Sequence, residues 1–537
     1  MRLIYSKNGF LYSTCVTNAD VEIIETTIDR RKTVIAKAKV PISLEKASHM
    51  PHGSLDENGI FFLNGYQSWT DTKETLMTEI EKNIYRSPGF IVNKFAMDKY
   101  GDATFYDYDK NILHGYDVFY AKGLKESFIY SVNFKNAYLI IEVRKKSKKV
   151  HLISDVSGKN LAEGESFTLF DYYLFDDFDE GMRSFETTFP KRDLPKIFGY
   201  TSWYNYYQNI DEATLLRDLD ALDDRFDLFQ IDDGYETFVG DWLTVDQKKF
   251  PNGLVPIVEK IHARGFKAGI WMAPFAVEEK SALFAEHRDW LKVGEDGKLL
   301  KCGGNWSGFY TLDLDNKEAV EYIKKCLLHY ADLGFDFFKL DFLYAAALPP
   351  YGGRTRCMVQ EAAYALLRET LGDKIILGCG ANLANACGKF DYMRVGPDVS
   401  LKFDDAWFMR FFHRERISTK VTLQNTIYRS FLDGRFFGND PDVFLLRKEN
   451  VSLSDDQKRA LATINALFGS VLMTSDNIAA YDEKEAEMLS RTLDLFRRGK
   501  VLFFARIGED IEFAFETDGV QKQLVYNTKK GIFVNER

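Results

Sequence analysis

Short apolar runs in the middle of this chain end repeatedly in aspartate, tryptophan or tyrosine. The plainest case is "DFFKLDFL" (336–343). Most of its residues suit a buried strand, yet Lys339 and Asp341 sit two apart inside it and so point to one face. Charges are costly to bury unless they are paired or used. Other runs end alike. Trp203 and Tyr204 close "FGYTSWY", Asp232 and Asp233 follow "FDLFQI", and Trp271 lies in "KAGIWMA". Cys379 follows "KIILG", Arg394 and Asp398 lie in and after "DYMRVGP", Asn439-Asp440-Pro441-Asp442 follows "DGRFFG", and Asp476 follows "SVLMTS". One such Asp is explained by helix N-capping, and one such Trp by core packing. Recurrence at strand end after strand end asks for chemistry.

Paired carboxylates among aromatics suit cleavage of a glycosidic bond, which needs one ionised and one protonated carboxyl. Lys339 beside Asp341 is expected to lower its pKa and keep it ionised, as a nucleophile requires. Asp398, in the loop after Pro397, is the candidate to present the protonated carboxyl. Other chemistries fit less well. The histidines, His49, His52, His114, His151, His262, His287, His329 and His413, all miss the strand ends, which argues against a zinc barrel. "GCGANL" has Leu383 where a dinucleotide loop requires its third glycine. No GxSxG elbow or phosphate-binding loop is present. A mononuclear zinc site and a dinucleotide cofactor are therefore not expected.

The elements that must position these residues follow a pattern. From "FGYTSWY" to "SVLMTSD", eight strand-like runs alternate with helical stretches such as "LVPIVEKIHARG" and "KEAVEYIKKCLLHYADLG". That predicts a (β/α)8 TIM barrel, whose chemistry sits at the C-terminal strand ends; a doubly wound open sheet is the alternative. Before it, runs such as "VEIIETTI", "AYLIIEV" and "SFTLFDYYLF" alternate with turn residues and predict an antiparallel β-sandwich. After it, "KVLFFARIG", "IEFAFETDG" and "KQLVYNT" predict a small C-terminal β-domain. The expected domains are 1–188, 189–497 and 498–537, in keeping with a chain of 537 residues.

A net charge of −10 argues against a nucleic-acid partner. The one basic run, 144–149, reads as a hairpin turn between two strands. Six scattered cysteines without a CxxC pair make no disulfide framework. The sequence has no signal-like apolar segment and no apolar run of the ~18 residues a membrane span needs, so a cytoplasmic protein without a membrane partner is expected.

"GYTSWYNYY", "FQIDDGYE", "GDWL", "KFPNGL", "AGIWMAPF", "HRDWL", "FFKLDF", "ILGCG" and "MRVGPD", in that order, resemble the α-galactosidases of glycoside hydrolase family 36 in their short bacterial form. The likeness covers about 195–480 and extends to "NGYQSWT" in the N-terminal region. It implies a retaining hydrolase acting on terminal α-galactosyl residues of oligosaccharides such as melibiose and raffinose, as monomer or homo-oligomer. It implies Asp341 as nucleophile and Asp398 as general acid/base, with no metal or organic cofactor. Asp232 and Asp233 would hold the galactose O4 and O6 hydroxyls, with Lys339 and Arg394 bonding further hydroxyls. Trp203, Tyr204 and Trp271 would form the pocket wall, Trp69 would reach over from the sandwich, and Cys379 would stand near the sugar's C2 side. Tyr66 in place of a Trp, the loop "YAAALPPYGGRTR" and a short C-terminal domain depart from the pattern and bear on the leaving group. The alternatives are an α-N-acetylgalactosaminidase, a galactosyl transferase of the same family, or a sugar-binding barrel without catalysis.

Overall fold

The computed structural model describes the whole chain except His52, Asn83, residues 85–87, residues 406–413, Glu415 and Arg537. Of the histidines considered above, His52 and His413 therefore lie outside the described residues.

A parallel sheet forms the centre. Its strands are Ile197–Thr201, Leu228–Ile231, Lys267–Met272, Phe337–Leu340, Ile375–Gly378, Tyr392–Arg394, Gly438–Asp440 and Val471–Thr474, with Val443–Phe444 at the far edge. These strands are almost continuously apolar because both faces are covered, one by the barrel interior and one by helices. The two ends of the pairing path, Gly438–Asp440 and Val443–Phe444, are separated by only Pro441 and Asp442. One half of the seventh strand pairs with the sixth and the other half with the eighth. The Ser470 N–H donates to the Asn439 carbonyl at 2.9 Å across the gap. The sheet thus closes into a barrel, and the open doubly wound alternative is excluded.

The outer helices bury one stripe each. Lys317–Asp332 buries Ala319, Ile323, Cys326, Leu327 and Tyr330, the i, i+4, i+7 spacing of an amphipathic helix. The Asn316 side chain caps it, accepting from the N–H groups of Glu318 and Ala319.

Residues Arg2–Phe175 build two antiparallel sheets of seven strands each. Leu44, Ile141 and Leu152 from one sheet meet Val34, Phe119 and Phe167 from the other in a shared core, as in a sandwich. The basic run is indeed a hairpin turn, between Leu139–Arg144 and Lys149–Ser154. Residues Lys500–Glu536 form a four-stranded antiparallel meander, and Phe513 packs edge-on against Phe468 of a barrel helix at 5.4 Å. Among the described residues no helix is long and apolar enough to cross a membrane.

Candidate active site

Strand register sorts the named residues into tiers. Lys339 on the fourth strand lies level with Trp271 on the third. Asp232 follows Ile231 on the second strand, itself level with Ile270, so Asp232 shares that tier. One residue beyond the paired positions Leu340, Gly378 and Met393 come Asp341, Cys379 and Arg394, and Arg394 is level with Asp440. The parallel sheet therefore sets a tier of Asp232, Trp271 and Lys339 beneath a tier of Asp341, Cys379, Arg394 and Asp440.

Lys339 does not pair with Asp341. Its Nζ donates to Asp232 Oδ2 at 2.9 Å, and both side chains are buried. Burial opposes the ammonium, but the Asp232 carboxylate outweighs it and holds Lys339 above the ordinary lysine range. Asp232 Oδ2 also accepts from Gln230 Nε2 at 2.6 Å and Thr201 Oγ1 at 3.2 Å.

Asp341 is oriented from two sides. Trp271 Nε1 donates to Oδ2 at 3.1 Å, and the Phe342 N–H donates to Oδ1 at 2.7 Å. Phe342 has φ +54°, a left-handed conformation rare for an aromatic residue, and it turns the chain sharply at the strand end. Burial pushes the Asp341 carboxyl above its ordinary pKa; Lys339 pulls it down, and Asp398 adds to the rise. This corrects the expectation that Lys339 holds the pKa low: desolvation wins because the lysine's closest partner is Asp232.

Asp398 is 38% exposed, far more open than Asp341, and its Oδ1 accepts from Arg394 Nη1 at 3.0 Å. Asp233 accepts from Gln208 Nε2 at 3.0 Å and from Trp306 Nε1 at 2.9 Å.

These groups line a cleft of about 810 Å³. Asp232, Asp233, Lys339, Asp341, Asp398, Trp203, Trp271 and Trp69 all reach it. Tyr204, Arg394 and Cys379 stand behind its surface, each buried. Trp203 and Tyr204 lie on a helical turn, Trp203–Tyr206, rather than on the strand, which ends at Thr201. The turn is held by the Tyr204 N–H on Ser475 Oγ at 3.3 Å and by Arg447 Nη2 on the Tyr204 carbonyl at 2.7 Å. Asp476 serves that clamp, accepting from Arg447 Nη1 at 2.6 Å, and does not line the cleft.

The sandwich contributes part of the wall. Trp69 stands edge-on to Phe342 at 5.5 Å and to Tyr344 at 5.8 Å. Gly380 makes room for it: a Cβ there would lie 2.8 Å from the indole. The Trp69 loop is held by Arg429, a fully buried guanidinium from a barrel helix. Arg429 donates to the carbonyls of Ser68 at 2.7 Å, Gln67 at 3.0 Å and Val395 at 2.6 Å. Burial lowers its pKa to about 9. The outer rim is apolar, formed by Pro88, Ile91, Phe95, Met97 and Ile417.

Sequence reasoning missed Trp306, Gln208, Arg429 and this rim. Their roles depend on neighbours far away in the chain, and no local pattern marks them. Asn439-Asp440-Pro441-Asp442 was visible as a motif but had no assigned task.

A family profile described as melibiase matches residues 182–368. An α-galactosidase of Escherichia coli is 28% identical over 172 residues, covering 30% of this chain and 24% of that protein. The α-xylosidase XylQ of Lactiplantibacillus pentosus is 29% identical over 160 residues, covering 28% of this chain and 20% of that protein. The aligned stretches thus span a quarter or less of these curated relatives. The structure of an α-galactosidase from Thermus thermophilus, in complex with p-nitrophenyl α-D-galactopyranoside, superposes with a TM-score of 0.72 at 25% identity, covering 93% of this chain and 98% of that one.

Proposed function

We propose that this chain is a retaining α-galactosidase of the glycoside hydrolase family 36 type, acting on terminal α-galactosyl residues of oligosaccharides, a reading supported by the melibiase profile that matches residues 182–368. The observation that carries the reading is the pair Asp341 and Asp398: one buried and hydrogen-bonded from two sides, the other open to solvent, both facing one aromatic-walled cleft. In the proposed reaction the Asp341 carboxylate attacks the anomeric carbon. The bond to the leaving oxygen breaks as Asp398 gives that oxygen its proton, and a covalent glycosyl-enzyme forms. Asp398 then takes a proton from water, which displaces Asp341 with net retention. Trp271 and the Phe342 amide aim the nucleophile and receive its charge back when it leaves.

Asp232, Asp233 and Lys339 at the floor are proposed to bind sugar hydroxyls, with Trp203 and Trp271 along the wall. Among the described residues the Trp69 indole N–H is buried without an acceptor, which supports a hydroxyl contact there. Arg394, Tyr204 and Cys379 are assigned to support from behind the wall. In the proposed division of the chain, 189–497 carries the chemistry and Ile417 of the rim, 1–188 supplies Trp69 and the rest of the rim, and 498–537 buttresses a barrel helix.

The test is turnover of p-nitrophenyl α-D-galactopyranoside beside its N-acetylgalactosamine and α-glucose analogues, with Asp341→Ala as control. Release from the galactoside alone, lost in the variant, supports the reading. Preference for the N-acetylated substrate would turn it to an α-N-acetylgalactosaminidase. Absence of release from all three leaves a transferase with a strict acceptor or a sugar-binding barrel. Retention is read by NMR of the first-formed anomer.

A further inference from the structure

Asp440 and Asp442, at the seam of the barrel, have no part in the scheme above. Both are buried, and both hold Arg394. The guanidinium Nε donates to Asp440 Oδ2 at 3.1 Å, and Nη2 meets Asp442 Oδ1 at 2.7 Å. Nη1 is left for Asp398, at 3.0 Å. The rigid fork of an arginine thus transmits the position of two seam carboxylates to a third in the cleft.

Asp442 makes a second connection. Its Oδ2 accepts the backbone N–H of Val399, the residue after Asp398, at 2.7 Å. The Tyr204 hydroxyl donates to the same oxygen. One carboxylate therefore grips Asp398 from the side-chain end, through Arg394, and from the main-chain end, through Val399. Asp442 is itself fixed. It sits in the two-residue gap of the seventh strand with φ +73°, and its N–H donates to Asp440 Oδ1 at 2.8 Å.

We infer that Asp442 is a positioning residue for the proton-transfer steps, holding the Asp398 carboxyl at the leaving oxygen through Arg394 and the Val399 amide. The inference rests on the proposed acid/base assignment of Asp398. With Asp440 and Asp442 both on Arg394, that cation is shared among three carboxylates and is held from two sides as it reaches Asp398. The other groups facing this cluster are Tyr204 from the first strand's turn, Asp341 and Lys339 from the floor, Cys379 from behind the wall, and Tyr207 near the mouth. Burial pushes Asp442 up to about 7 against the pull of Arg394, with Asp398 and Asp440 adding to the rise. Replacing the carboxylate at 442 removes one of the three anchors of the Arg394 guanidinium and so loosens its hold on Asp398.

Asp442→Asn is the variant of choice, because asparagine accepts left-handed backbone and its amide oxygen keeps an acceptor for Val399. Its kcat/KM for melibiose is expected to fall on the order of 100-fold, the scale of general-acid catalysis. For dinitrophenyl α-galactoside, whose leaving group needs no proton, the fall is expected to stay under about 5-fold, because only the acid step is impaired. Equal losses on both substrates, or no loss at all, would overturn the inference. If the Asn variant does not fold, Tyr204→Phe removes one of the Asp442 donors without touching the seam. It is expected to show the same split between substrates in smaller degree, and an even loss would again overturn the inference. Asp398→Ala, assayed in parallel, tests the underlying assignment: without a substrate split and without rescue by azide, Asp398 is not the acid/base, and the inference falls with it.

Discussion

Replacing Lys339 by methionine keeps the volume of a buried side chain and removes its charge. Lys339 lies two residues before Asp341 on one face of the fourth strand. Residues so placed stand roughly 7 Å apart, where a unit charge at an effective dielectric of about 20 is worth about 2.4 kcal/mol, or about 1.7 pH units. Lys339 lowers the Asp341 pKa, so its loss raises it. Asp232, freed of its 2.9 Å partner, adds negative charge in the same direction. The proposed nucleophile must be ionised, so the acid limb of kcat/KM is expected to move to higher pH, by about 1–2 units on the Coulomb estimate above. Stability is expected to fall by about 3–5 kcal/mol, the usual cost of breaking a buried pair from one side. The assay is kcat/KM against pH on p-nitrophenyl α-galactoside, with wild type and variant in the same buffers. An acid limb that stays in place, or moves down, refutes the electrostatic coupling of Lys339 to Asp341.

Three further outcomes are expected. In Arg429→Lys a single ammonium replaces the fork that reaches the carbonyls of Gln67, Ser68 and Val395; stability should fall by about 2–4 kcal/mol as carbonyls lose donors, and KM should rise more than kcat falls because the Trp69 loop loosens. An unchanged KM counts against the role of that loop. His114 is fully buried between Glu81 Oε2 at 2.5 Å and Asp102 Oδ2 at 2.7 Å; burial opposes its charge, yet the two carboxylates raise its pKa to about 9. A raised folded pKa means this stabilisation is complete below the ordinary value of 6.5 and is lost as pH rises through 9; wild-type Tm should fall across that window by more than His114→Gln does, the difference being on the order of 3 kcal/mol, and parallel curves would refute it. Phe95 and Ile417, 45% and 62% exposed on the rim, offer apolar surface to the leaving group; Phe95→Ala should raise KM for an aryl α-galactoside several-fold, about 1–2 kcal/mol of lost burial, and leave melibiose nearly unchanged, whereas equal effects would remove the rim from the leaving-group site.

Local rules carry far in this chain and then stop. The two-residue period of a strand was enough to set Lys339 and Asp341 on one face, and the alternation of apolar strands with helical stretches was enough to predict the barrel and the end at which its carboxylates gather. Those features depend only on neighbours in sequence, because backbone geometry fixes where successive side chains point. Which group pairs with which is a different matter. Lys339 could face Asp341 or Asp232, and only the parallel register of three strands decides for Asp232, across 107 residues of chain. The same holds for the Asp341 pKa: a lysine nearby in sequence suggests a depressed value, but desolvation depends on everything packed around the carboxyl and reverses the sign. Asp442 reaches Arg394 and Val399 because the barrel closes at a two-residue gap in its seventh strand, and Arg429 reaches the Trp69 loop because the sandwich docks beside the barrel. The sequence by itself therefore determined which residue types gather at the strand ends and, within a strand, which side chains share a face. The tertiary structure decided their partners and their proton affinities, since both are set by distance and burial among segments that sequence order leaves far apart.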